Sequence, residues 1–88
     1  MCSQEEQKWA NSTEQELESI AKNWSKKYNT KQMRKFQNTY NEWLEDSPAL
    51  TESELKGELT DNSIFHMALL NRHKAMSRAI DIKEFRKD

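Results

Sequence analysis

Residues 62–80 read NSIFHMALLNRHKAMSRAI, nineteen residues with a helical apolar period and neither Gly nor Pro. At 100° per residue, Ile64, Phe65, Ala68, Leu69, Ala75, Met76, Ala79 and Ile80 fall within an arc of about 160°. That arc is wider than the seam of a two-helix pair, so the spacing predicts a central helix with two or more neighbours. Asp61, Asn62 and Ser63 offer capping side chains at its start. Lys74 and Arg78 lie toward its end, where cations oppose the helix dipole.

Two features break the pattern. Arg72 sits in the middle of the apolar arc. A charge there needs a carboxylate or carbonyl partner, or must reach past the core edge to water. It is either one half of an ion pair with a Glu of another helix or a functional Arg in a cleft. Met67 and Leu70 lie off the arc, among His66, Asn71, His73, Lys74 and Ser77. They are either covered by a further helix or exposed as a contact patch.

Working outward, residues 13–28 carry Leu17, Ile20, Ala21, Trp24 and Tyr28 at core-facing spacing, behind Ser12 or Thr13 as cap with Gln15 or Glu16 three residues on. Residues 31–45 follow Asn29 and Gln32, a second capping pair. They place Met33, Phe36, Tyr40, Trp43 and Leu44 on one arc and Lys31, Arg34 and Lys35 on the other. A short third helix is expected over 49–59, with Pro48 at its start and Leu50, Leu55 and Leu59 as its apolar side; Gly57 weakens it. Ser3 and Glu6 offer a start to a short N-terminal helix bearing Trp9, and Ile82 with Phe85 forms a last apolar pair. The expected fold is all-α, a compact single-domain bundle of about four helices (13–28, 31–45, 49–59 and 62–80), with 1–11 and 82–88 as short or frayed additions.

Composition agrees. The 88 residues include no Val, one Gly and one Pro, too little of what strands and hairpins need. Three Trp and three Phe give a small core large side chains. The mean hydropathy of −1.15 describes a polar surface over a thin core. The lone Cys2 has no disulfide partner, no signal peptide is read, and no apolar run reaches membrane length, so a reducing cytoplasm is the expected location.

The net charge of −1 hides a block pattern. Residues 23–37 hold five cations and no acid, whereas 38–61 hold seven acids and one Lys. Either the bundle pairs these segments across its own faces, or the surface is bipolar and steers a partner.

Signals for chemistry are few. His66 and His73 lie about 10 Å apart along a helix, too far to share one zinc. No phosphate loop, nucleophile elbow or Cys–His pair is present, so neither a cofactor, a metal nor catalysis is expected. If the helical phase runs on from Lys27, Lys27, Lys31, Arg34 and Lys35 form a basic arc that would suit nucleic acid, with Tyr28 to stack. A helix-turn-helix over 52–80 is less apt. Its reading helix would begin with few base-reading side chains, and the helix before it carries Glu52, Glu54 and Glu58.

The expectation is a small non-catalytic helical protein that binds another protein, as an adaptor, inhibitor or accessory subunit. Trp9, Met67, Leu70 and Arg72 are the candidate contacts, and Glu52 and Glu58 stand for the acids that would steer. The alternative is a nucleic-acid-binding helical protein using Lys27, Lys31, Arg34 and Lys35. A homodimer through Met67 and Leu70 is the third reading, and no membrane role is expected.

Overall fold

A computed structural model describes residues 3–86; Cys2 lies outside the described residues. The fold is all-α. Its elements are α1 (Gln4–Ala10), α2 (Glu14–Lys27), α3 (Thr30–Asp46), the single turn α4 (Glu52–Leu55), α5 (Asp61–Asp81) and a π-helical turn (Ile82–Arg86). The helix α5 is the hub: α1, α2 and α3 each pack on it. Its 21 residues span about 31 Å of a molecule 41 Å long.

The arc predicted for α5 is its buried side. Ala68, Leu69, Ala75, Met76, Ala79 and Ile80 are buried, and Ile64 and Phe65 are half-buried. Leu17 and Ala21 of α2, Met33 of α3, Ala10 of α1 and Ile82 complete the core. Trp24, Tyr28 and Tyr40 pack on its edge. Four of the fully enclosed residues are alanines, which lets helix backbones approach closely and fills the interior with short side chains.

Caps set the boundaries. Thr13 with Glu16, Asn29 with Gln32 and Thr51 with Glu54 each form a reciprocal capping box. The cap of α5 differs from expectation: it is Thr60, one residue before the three candidates. Thr60 N–H donates to Ser63 Oγ (2.8 Å) and Ser63 N–H donates to Thr60 Oγ1 (3.1 Å).

The expected helix over 49–59 is corrected to one turn. Gly57 adopts φ 116°, a left-handed conformation that glycine adopts freely. Gly57 N–H bonds the Glu54 carbonyl (3.1 Å) and Glu58 N–H bonds the Ser53 carbonyl (3.0 Å), the paired bonds of a Schellman terminator. The fourth packed helix is instead α1, whose end is held by α5: Asn71 Nδ2 donates to the carbonyls of Trp9 (2.7 Å) and Ala10 (3.3 Å). At the other end of α5, Lys83 Nζ donates to the Ser25 carbonyl of α2 (2.9 Å), and Arg34 of α3 pairs with Glu84 (2.7 Å).

Candidate functional site

Arg72 projects from the centre of α5's packed side, so residues half a turn away in angle project from its outer side. Met67, Leu70 and Lys74 are on that outer side. The described helices leave them open: Met67 keeps 38% and Leu70 50% of its surface accessible. Together with Asn71, His73, Lys74 and Ser77 they line an open groove of about 430 Å³, all of it built from α5. Met67 also lines a second hollow of about 220 Å³ with Gln7, Ala10, Asn11, Leu59 and Ile64. Met67 is common to both, and Leu59, Met67 and Leu70 mark an apolar track from the 56–60 loop along the back of α5.

The borders of the track are polar and fixed. Gln37 Nε2 donates to Ser77 Oγ (2.6 Å) on the α3 side. On the α2 side Glu14 accepts from Lys74 Nζ (3.1 Å) and from Arg78. The Arg78 bond first, and that of Lys74 second, hold the Glu14 carboxyl below the usual carboxylate range. Glu58 precedes Leu59 at the loop end of the track and is exposed. Glu52, also exposed, pairs with Lys56 one turn on (3.3 Å).

Trp9 and Arg72 occupy a different place. Arg72 Nη2 pairs with Glu6 Oε1 at 2.8 Å, both side chains largely shielded, and its guanidinium lies 5.4 Å from the Trp9 ring centroid. Trp9 in turn packs on Trp24, ring centroids 5.7 Å apart. Both residues are thus engaged inside the chain, on the side of α5 away from Met67 and Leu70. Glu6 Oε2 and His66 Nε2 are enclosed without a hydrogen-bond partner among the described residues.

The expected basic arc is not one helical face: Tyr28 and Asn29 are extended, so at the α2–α3 corner Lys27 ends α2 while Lys31, Arg34 and Lys35 lie on α3. Lys31 and Lys35 are exposed, Lys27 Nζ stands 5.4 Å from the Tyr28 ring, and Arg34 is committed to Glu84. The aromatics beside this corner fall along the line where α2 and α3 diverge. Tyr28 meets Phe36 edge-on at 5.2 Å, and Tyr40 meets Trp43 at 6.0 Å. Trp24, Tyr28, Phe36, Tyr40 and Met76 line a small open hollow of about 120 Å³. Burial there pushes the Tyr40 phenol above its usual range. Periodicity marks Phe36 and Trp43 only as core positions, yet they keep 37% and 48% of their surface accessible. Leu59, expected on the apolar side of a helix, is instead an exposed loop residue beside Met67.

The charge blocks separate in space. The ends of α2 and α3 carrying Lys26, Lys27, Lys31, Arg34 and Lys35 meet the π-turn at one end of the molecule. Asn62 ties to the Pro48 carbonyl (3.3 Å) at the other end, joining the acidic end of α3 to the 52–61 segment. Glu42, Glu45, Asp46 and Glu58 make no ion pair among the described residues.

Among the described residues no three His, Cys, Asp or Glu side chains are grouped to hold a metal ion, and no helix is long and apolar enough to cross a membrane. Comparison with protein families, curated proteins and solved structures finds no match.

Proposed function

We propose that this protein acts without catalysis, by docking another protein along the outer side of α5, as an adaptor, inhibitor or accessory subunit. The observation that carries the reading is the exposure of Met67 and Leu70 on the one helix that every other long helix packs against. An apolar side chain moved from water into a packed interface contributes up to roughly 1.5–3 kcal/mol, and the fold realises only about half of that gain at these positions. Met supplies a deformable surface, Leu70 a fixed knob, and the polar borders at Lys74, Ser77 and Glu58 set register.

The nucleic-acid reading has the weaker support. Two of its four cations, Lys27 and Arg34, already have partners within the chain, and the acidic end of α3 lies on the same helix.

The test compares proteins retained from source-organism lysate by the wild-type chain, Leu70→Glu and Lys31→Glu/Lys35→Glu. Leu70→Glu is expected to keep the helical circular-dichroism spectrum and to lose a protein that the other two retain after nuclease treatment. Loss of the captured species on nuclease treatment or in the lysine variant, with Leu70→Glu unaffected, overturns the reading in favour of the basic arc.

A further inference from the structure

We propose that the outer edge of α3 is a self-complementary surface on which a second copy of this chain docks antiparallel, α3 against α3.

The first observation is that the charges of α3 oppose the needs of the helix itself. Its first turn has no acid and its last turn no cation, the reverse of what the dipole favours. Lys31 and Lys35 are one turn apart, as are Glu42 and Asp46, and like charges at that spacing destabilise a helix. All four are exposed, and none of their charged groups has a partner among the described residues. Compare α2, which places Glu14 and Glu16 in its first turn and Lys26 and Lys27 in its last.

The second observation is the apolar edge beside those charges. Phe36 and Trp43 project within about 20° of each other, and Lys31, Lys35, Glu42 and Asp46 fill a sector of about 60° next to them, beyond Gln32 and Thr39. A strip of half-exposed aromatic surface therefore runs alongside a charged strip whose sign reverses midway.

The third is the symmetry of the arrangement. An isologous contact requires that if residue i meets j of the partner, then j meets i. The pairs Phe36 with Trp43, Lys35 with Glu42 and Lys31 with Asp46 are all centred on the same turn, Asn38–Tyr40. A two-fold axis through that turn sets Phe36 beside Trp43 of the second copy and each cation over an acid. Antiparallel dipoles and cross-helix ion pairs then relieve the repulsions that α3 carries alone. A contact one helix wide is at the low end of interface size, so the association is weak, concentration-dependent and salt-sensitive. It uses a different surface from the α5 groove.

The test is sedimentation or light scattering of the full chain, from about 10 µM to about 1 mM at about 20 mM salt. The wild type is expected to rise toward twice the monomer mass and to fall back in high salt. Lys35→Glu and Glu42→Lys each weaken self-association by about tenfold or more, because like charges then meet across the axis. Each relieves a like-charge pair within α3, so each melts at or above the wild-type temperature. An equimolar mixture of the two variants restores the doubled mass, since each supplies the charge the other lacks; Trp43→Ser weakens association without touching a charge. A wild type that stays monomeric throughout overturns the proposal. So does a mixture no more associated than its components, or a dimer lost in Leu70→Glu and kept in Lys35→Glu.

Discussion

Arg72 shows how one side chain inside an apolar arc is made tolerable. It takes Glu6 as partner at 2.8 Å, lies over Trp9, and thereby fastens α1 to α5. Removing only the carboxylate leaves a shielded guanidinium without its partner, which costs more than removing both. Glu6→Ala is therefore expected to lower unfolding free energy by about 1–3 kcal/mol. Glu6→Leu with Arg72→Met recovers most of that loss, as urea unfolding monitored by tryptophan fluorescence would register. Equal losses in the single and double variants contradict the pair's structural role. The need for a partner is readable from the helical period; its identity is not, because residues 66 positions apart meet only through the fold.

At the scale of elements, the chain is partitioned by caps. The cap of α3 is legible because its partners lie three residues apart, within reach of local geometry, whereas the box of α5 starts at Thr60, before the three candidates. The segment 49–59 departs from expectation because Gly57 is the terminator of a helix and not a weak residue inside one. A Cβ added at Gly57 would meet no neighbouring atom, so the cost of substitution resides in φ 116° alone. Gly57→Ala is expected to destabilise by about 1–3 kcal/mol. For a domain of this size each kcal/mol is worth roughly 4–8 °C in Tm, readable by calorimetry. An unchanged Tm would mean that the loop relaxes to another turn. Gly57→Asn, which tolerates left-handed geometry better, should lose less.

For the whole molecule, the main electrostatic fact is separation of charge along the long axis, with few bonds between the poles. Besides Glu6 and Glu84, the bonded carboxylates hold α2 and the caps. Arg78 and Lys74 lower Glu14, while bonds from Thr13 lower Glu16 and bonds from Thr51, then Thr60, lower Glu54. A carboxyl whose pKa in the folded chain lies below the unfolded 4.5 stabilises the fold in full above that value. The contribution is lost as pH falls through the lowered folded value. These groups therefore predict a Tm that falls as pH drops below about 4.5, and a shallower fall in Glu16→Gln/Glu54→Gln, which keeps the capping bonds and removes the titration. Identical acid slopes for variant and wild type would assign the loss to other groups.

What the sequence determined by itself is what depends on neighbours one or two turns away: the all-α class, three helices to within a residue or so, the capping pair of α3 and the buried side of α5. Periodicity records which face is apolar, and an apolar face must be buried somewhere. It does not record how much of a face its neighbours cover. Only the packing of α1, α2 and α3 on one side of α5 decided that Met67 and Leu70 stay open. Packing likewise turned Trp9 inward onto Trp24 and left Phe36 and Trp43 at an uncovered edge. Coverage is a property of helices meeting at a distance in sequence, set by crossing geometry and side-chain volume, and no local spacing encodes it.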